Sequence, residues 1–223
     1  MEEKISIFDT EMDSLSAKET MIRAIQFFED DLLDTIELMT LNMLMGGQED
    51  PKWKRNVAGM DLVLPVEAEI LEAAGIQDRG LLRDADERVF LRMFMKYLQK
   101  NRRRVFLLAE TEEELMRVEE AVRRYQRGLN VVGHALLSPE NDRRENVIND
   151  INGTETDCIL SVLSSPYQED FIADTRALLS AKVWFGCGKV LEQSYDERRL
   201  ANRIKYFFMK KIFRYRVERQ KDR

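Results

Sequence analysis

The chain has few of the residues that bind metals or form cross-links. Its 223 residues include one histidine, His134, and two cysteines, Cys158 and Cys187. So few soft ligands argue against a structural zinc site. Both cysteines lie inside apolar runs that are typical of strands. This predicts buried free thiols rather than a disulfide or a metal pair.

Long hydrophobic runs are also missing. No apolar run approaches the roughly 20 residues that a membrane-spanning helix needs. The first ten residues are acidic and carry no signal-peptide pattern. The hydrophobic content of 44% is ordinary for a globular protein, and the length suffices for one sizeable core. We therefore expect one main domain.

Positive charge is scarce in most of the chain and concentrated at its C-terminal end. Residues 198–223 hold eleven Lys or Arg against two Asp or Glu, a net charge of +9, whereas the other 197 residues carry −15. A basic tail on an acidic body suggests an anionic partner for the tail, such as an anionic bilayer or a nucleic acid. Because no groove-reading or RNA-stacking motif accompanies the tail, we expect no nucleic acid partner.

The same C-terminal segment has the pattern of a basic amphipathic helix, or of two short ones. Two interpretations are open. The helix packs on the body and exposes a basic face, or it docks on an anionic membrane surface or partner. We treat residues 196–223 as a separate appendage. The apolar residues that membrane docking would insert are Phe207, Phe208, Ile212 and Phe213.

Seven short apolar runs have the composition of strands, and several lack strict alternation, as strands covered on both faces do. Amphipathic stretches separate them, and two begin with capping boxes, Ser16 with Glu19 and Thr111 with Glu114. This alternation predicts a doubly wound α/β fold over residues 1–195, with a mostly parallel sheet and helices on both faces. The runs are residues 4–8, 34–42, 60–65, 103–109, 128–137, 157–163 and 181–188, and further helices are predicted over 66–75, 88–101, 140–152 and 166–179.

The sequence has no G-x-G-x-x-G motif and no P-loop, and no Ser/His/Asp or Cys/His arrangement follows from spacing. Ligands of a doubly wound sheet bind outside the carboxyl ends of its strands, so the residues there are the candidates. A structural interpretation is also open at "SSPYQEDF", in which Pro166 starts a helix and Gln168 and Glu169 lie near its positive end. The candidates include Thr40, Asn42, Glu67, Glu110, Gln168, Glu169, Gly186, Gly188 and Lys189.

Five segments, in order, resemble those of the WecG/TagA/CpsF family of bacterial glycosyltransferases. "TLN" at 40–42 is similar to a T-x-N at a strand end, and "DPKWKRNVAGMDLVLP" at 50–65 to a D-P…A-D-L-V-x-P-D-G stretch. "DCILSVLSSPYQED" at 157–170 resembles a D-x-L-L-V-G-L-G-x-P-x-Q-E box. The other two segments are residues 103–133 and 181–192, and the basic C-terminal appendage is also a family trait.

The resemblance implies a Rossmann-like glycosyltransferase domain at residues 1–195. That domain would transfer an N-acetylhexosamine from a UDP-sugar to a lipid-linked acceptor in cell-surface polysaccharide synthesis. The resemblance further implies no metal or other cofactor, and a peripheral position at the cytoplasmic face of the membrane, which the appendage contacts. An oligomer is compatible with this role. The substrate-binding residues that the resemblance implies are Thr40, Asn42, Arg83 or Arg88, Gln168, Glu169, Gly186, Gly188 and Lys189.

The sequence departs from the family pattern where the chemistry is expected. The resemblance places the catalytic Asp of P-D-G at Val66, and valine cannot accept a proton. Glu67 is the candidate replacement, although one residue along a helix turns a side chain by about 100°. A Gly-Gly pair is replaced by Ala109 and Glu110, and a carboxylate there repels a diphosphate. Two hypotheses follow: a divergent transferase with Glu67 as its base, or a catalytically impaired homologue that binds or regulates a partner at the membrane.

Overall fold

The computed structural model describes residues 4–191 and 203–221 and contains a six-stranded sheet. The described residues form the strands β1 (Lys4–Ile7), β2 (Thr10–Asp13), β3 (Asp34–Met39), β4 (Leu62–Pro65), β5 (Arg104–Ala109), β6 (Asn130–Leu136), β7 (Cys158–Ser161) and β8 (Val183–Gly186), of which the last six, β3 to β8, make up this sheet. The sheet has the order β4-β3-β8-β7-β5-β6, and all its pairings are parallel. The predicted fold class is therefore confirmed.

Helices cover both faces of this sheet. They are α1 (Ala17–Gln26), α2 (Leu41–Gly47), α3 (Pro51–Ala58), α4 (Ala68–Ala73), α5 (Arg79–Asp86), α6 (Val89–Lys100), α7 (Glu112–Tyr125), α8 (Arg144–Gly153), α9 (Tyr167–Thr175) and α10 (Arg203–Lys221). Buried side chains of α1, α6 and α7 fill the core on one face, and those of α2, α3, α8 and α9 pack on the other. Because both faces are covered, the sheet strands except the edge strand β6 are almost wholly buried.

Local capping signals start the helices as the sequence indicates. Ser16 and Glu19 form a complete capping box at α1. At α7 only half of the predicted box forms, because Thr111 accepts the Glu114 N–H while the Glu114 carboxylate accepts from the Glu110 N–H instead. In α1 and α7, a side-chain acceptor thus satisfies one of the free N–H groups of the first turn.

The predicted strand at residues 4–8 lies outside the main sheet, so its place in the prediction was wrong. β1 pairs only with β2, as an antiparallel hairpin whose turn residues Phe8 and Asp9 have positive φ. The side chains of β1 alternate between exposed and buried, as in a strand with one covered face. The hairpin covers the sheet edge, because the Val63 N–H of β4 donates to Asp13 Oδ2 at 2.8 Å.

The C-terminal helix α10 packs against the body. Phe213 is fully buried, with its ring edge-on to Phe8 at a centroid distance of 5.9 Å. Lys210 pairs with Glu69, and Arg214 pairs with Glu72 of α4. This supports the packed interpretation of the tail. The side chains of Phe207 and Phe208 and the predicted boundary at residue 195 lie outside the described residues.

The opposite side of α10 is exposed. This outer face of α10 carries two apolar, three basic and one acidic side chain, Ile212, Tyr215, Lys211, Arg216, Arg219 and Glu218. Within the described ranges, no helix combines the length and apolarity that a bilayer crossing requires.

Candidate functional site

The carboxyl ends of three central strands meet at one edge of the sheet. Glu37 of β3 lies beside Gly186 of β8, which in turn lies beside Ser161 of β7. The backbone N–H groups of Cys187 and Gly188 both donate to the Ser161 carbonyl, at 3.0 and 3.1 Å. Most of the predicted site residues therefore gather at this edge, where an α/β protein binds its ligand.

Gln168 and Glu169 turn into the protein from the first turn of α9. The Gln168 amide donates to Glu37 Oε1 at 2.7 Å, and Glu169 Oε1 accepts the Trp53 indole N–H at 2.8 Å. We call Glu37, Gln168 and Glu169 the acid–amide cluster; each is 1% exposed or less. Burial raises the pKa of Glu37 well above its ordinary value, with a contribution from Glu169, and burial also raises the pKa of Glu169.

Gly186 makes room for this cluster. A Cβ atom at Gly186 would lie 2.2 Å from Glu37 Oε2 and 2.9 Å from Gln168 Nε2, distances that no real contact allows. The glycine that the resemblance assigns to substrate binding thus lets the chain's own side chains approach the β8 backbone. Gly188 is different: its φ of +44° suits glycine, and a Cβ atom there would lie at an ordinary contact distance, 3.6 Å from the Leu163 carbonyl.

Val66 and Glu67 point to opposite sides of the chain. Pro65 pairs with Met39, and the Val66 N–H donates to the Met39 carbonyl at 3.1 Å, so β4 runs without a shift into the turn. The Val66 side chain is buried in the core layer of α1 and α6. Glu67 has an extended backbone, so its side chain alternates with that of Val66 instead of following it around a helix.

The Glu67 carboxylate is buried and already bonded. Its Oε2 atom accepts the Leu41 N–H, at the start of α2, at 2.7 Å, and the residue is 5% exposed. This bond ties the end of β4 to the end of β3. The candidate base therefore faces the protein interior on the α2 side.

A small cleft of about 40 Å³ adjoins Val66. Arg88 lines it from the start of α6 and donates to the Val190 carbonyl at 3.2 Å, whereas Arg83 is exposed on α5 and does not line it. The geometry thus brings Arg88 rather than Arg83 beside Val66. The polar lining of the cleft consists of Asp13, Ser14, Thr20, Asp84 and Arg88.

Glu110 bridges the carboxyl ends of β5 and β7. Its Oε1 atom accepts the Ser164 N–H at 2.7 Å and also the Ser164 hydroxyl. Both donors point at a carboxylate of the chain itself, in the way they would point at a bound anion. Any phosphate approaching Ser164 therefore meets a negative charge.

A comparison with protein families identifies the family of the chain. The model of the glycosyl transferase WecG/TagA/CpsF family matches residues 5–206. The chain belongs to this family. No curated protein matches it significantly. Membership shows that the chain has the glycosyltransferase type of domain, and the departures described above lie within the matched range.

The remaining residues that the resemblance assigns to substrate binding differ in their exposure and contacts. Thr40 caps α2, where its hydroxyl accepts the Met43 N–H at 3.3 Å, while Asn42 and Lys189 are exposed. Glu192, which stands where the family has an Asp, lies outside the described residues. In residues 4–191 and 203–221, no three His, Cys, Asp or Glu side chains are grouped so that they could hold a metal ion.

Two residues of the site were not predicted from the sequence. Glu37 is an acid inside the buried strand "DTIELM", and such a residue signals a functional or paired group because charges are almost never buried alone. Trp53 lies in the "DPKW" segment, and its bond to Glu169 spans 116 residues. The sequence alone shows the acid of Glu37 inside a buried strand. The contact between Trp53 and Glu169 can be seen only in the folded structure.

Proposed function

We propose that this member of the WecG/TagA/CpsF family is impaired in hexosamine transfer and acts as a binding or regulatory partner at the membrane. One observation carries the proposal. The side chain at the expected position of the base is the buried Val66, and the neighbouring carboxylate of Glu67 faces away and accepts the Leu41 N–H. General-base catalysis requires a carboxylate within hydrogen-bond reach of the acceptor hydroxyl.

Other contacts point the same way. Glu110 engages the Ser164 donors, and Gln168 and Glu169 are bonded within the acid–amide cluster. Polar groups that bond to one another are less ready to bind a substrate, since each bond must break first. The candidate ligands of the family are a UDP-sugar donor and a lipid-linked acceptor. We expect this chain to bind both of them weakly.

Binding of UDP should be weak or absent. We expect isothermal titration calorimetry of the wild type to give a Kd above about 1 mM, the upper end of usual KM values. The Glu110→Gln variant removes the repulsive charge and keeps the size of the side chain. It should bind at least about tenfold more tightly, since one close charge is worth more than 1.4 kcal/mol.

Glu112→Gln is the matched control for this titration. Glu112 is an exposed glutamate in the first turn of α7, two residues from Glu110. Its replacement should leave the Kd unchanged. A low micromolar Kd for the wild type would contradict the proposal and favour a working transferase.

Membrane association, in this proposal, uses the outer face of α10. Lys211 and Arg216 lie there, and each basic residue near an anionic leaflet contributes roughly 1 kcal/mol. Truncation after residue 197 should abolish sedimentation with anionic vesicles, but it should also destabilise the body, because it removes the buried Phe213. The double variant Lys211→Gln with Arg216→Gln should weaken vesicle binding by about 30-fold.

The control for the vesicle experiment is a pair of basic residues on the body. Lys18 of α1 and Arg55 of α3 are exposed, and their replacement by glutamine removes the same charge away from α10. This pair should change vesicle binding much less. Equal losses in the two double variants would show that net charge, not α10, governs the association.

The second candidate function is an active transferase that uses Glu67. It is favoured by the position of Glu67 at the carboxyl end of β4, beside the end of β3 and the first turn of α2. In this mechanism the carboxylate leaves the Leu41 N–H to take the acceptor proton. Assays of Val66 and Glu67 variants separate the two functions.

A further inference from the structure

The acid–amide cluster has more hydrogen-bond acceptors than the donors of the described residues satisfy. Glu37 Oε2, Gln168 Oε1 and Glu169 Oε2 are all buried and have no hydrogen-bond partner within residues 4–191 and 203–221. All three atoms are acceptors if both carboxyl groups are ionised. Buried polar atoms are nearly always satisfied, so three orphan acceptors in one cluster point to a missing donor.

The surroundings offer no positive charge in the contacts that hold the cluster. Glu37 accepts from an amide, and Glu169 accepts from the Trp53 indole and the Ser165 hydroxyl. Glu169 of α9 is the charged group that raises the pKa of Glu37, and Glu37 in turn raises the pKa of the Cys187 thiol, which follows β8. Ionisation of Glu37 would therefore place a second buried negative charge near Glu169 without compensation.

There is little space for another donor beside Glu37. A single added carbon at Gly186 would already lie 2.2 Å from Glu37 Oε2, so the carboxyl group is packed directly against the β8 backbone. A proton on Glu37 adds a donor without adding a heavy atom. It also removes one of the two negative charges.

We propose that the acid–amide cluster is a proton-dependent latch: Glu37 stays a neutral carboxylic acid in the folded chain, and loss of its proton loosens α9 from the sheet. Gln168 and Glu169 form the first turn of α9, and Trp53 extends the same contacts to α3. Repulsion between Glu37 and Glu169 therefore acts on the place where both helices meet the sheet.

The sign of the pH dependence follows from this assignment. A carboxyl group whose pKa is raised by folding holds its proton in the native state and releases it on unfolding. Its stabilising effect is complete below the unfolded pKa of about 4.3 and is lost as pH rises through the folded pKa. Within that window the folding equilibrium constant falls about tenfold for each pH unit.

Urea unfolding of the wild type and of Glu37→Gln between pH 5 and pH 8 tests the latch. Glutamine is neutral at every pH, so the folding constant of Glu37→Gln relative to the wild type should rise about tenfold per pH unit. Glu49→Gln, a change at an exposed glutamate, should keep a constant ratio. A constant ratio for Glu37→Gln as well would overturn the proposal.

Two measurements on the wild type do not depend on the fold of a variant. Refolding at pH 7, followed by calorimetry in two buffers of different ionisation enthalpy, should show uptake of about one proton. Hydrogen exchange should show that, as pH rises, amides of α9 lose protection faster than those of α6. Proton release on refolding, or an equal loss of protection in both helices, would each contradict the latch.

Discussion

Replacing Gly47 by alanine should destabilise the chain by about 2–3 kcal/mol, the upper part of the usual range for overpacking a core. A Cβ atom at Gly47 would lie 2.1 Å from Cε3 and 2.3 Å from Cδ2 of the Trp53 ring. The ring is 1% exposed and cannot move away freely, because its N–H donates to both Ser165 and Glu169. Urea denaturation monitored by circular dichroism measures the loss.

The adjacent glycine is the matched control. Gly46 lies in the same helix, α2, and a Cβ atom there would meet nothing within 4 Å. Gly46→Ala should therefore stabilise the chain slightly, by about 0.5–1 kcal/mol, because alanine has the higher helix propensity. If the two substitutions had equal effects on stability, contact with Trp53 would not be the reason for a glycine at position 47.

This pair of glycines also shows what the sequence could and could not predict. The "MGGQ" stretch contains two adjacent glycines that no local rule distinguishes, and only the position of Trp53 separates them. The start of the short helix α3 could be predicted from the sequence, because Asp50 caps it and Pro51 occupies its first turn. It was missed because eight residues give too short an apolar pattern.

Five of the six strands of the sheet, all except the edge strand β6, were predictable for a physical reason. Strands buried on both faces need a largely apolar composition, and these five runs have it. The run at residues 4–8 has the same kind of residues. It forms a separate hairpin with β2, however, and this hairpin packs over the exposed edge of β4. Composition indicates a strand, whereas tertiary packing decides which sheet it joins.

The candidate site was predictable in place but not in orientation. Gln168 and Glu169 do follow β7 at the carboxyl edge, as "SSPYQEDF" indicates. Their side chains turn inward because Glu37, 131 residues away from Gln168, supplies the acceptor for the amide. Such a long-range bond leaves no periodic signal in the sequence. The roles of these residues in substrate binding stay predictions.

Wild-type transferase activity should be low, and Val66→Asp should raise it. A general base typically contributes 10²–10⁴-fold, so this is the expected gain if the rest of the site can still hold both substrates. Val66 lines the same cleft as Arg88 and Asp84, so an aspartate at position 66 would add a carboxylate to the lining of this cleft. The assay follows N-acetylhexosamine transfer from a UDP-sugar to a lipid-linked acceptor.

Val66→Asn is the control for this gain. Asparagine has nearly the size and polarity of aspartate but cannot accept the acceptor proton as a carboxylate does. Both variants place a polar group in a buried apolar position, so both should lose stability, and the aspartate should lose more because a buried charge costs more than a buried amide. A higher activity in Val66→Asp alone therefore reports base catalysis rather than a change in the fold.

Glu67→Gln decides between the two functions. If the wild type is impaired, as proposed, this change should leave the residual transfer rate unaltered, because the Glu67 carboxylate bonds to the Leu41 N–H and not to a substrate. Its cost should appear in stability, since a hydrogen bond to a charged group is worth about 1.5–3 kcal/mol. Robust wild-type turnover that collapses in Glu67→Gln, at a temperature where both proteins are folded, would reverse this conclusion. Glu67 would then be the base, and the bond to Leu41 would be a resting contact that breaks when the acceptor binds.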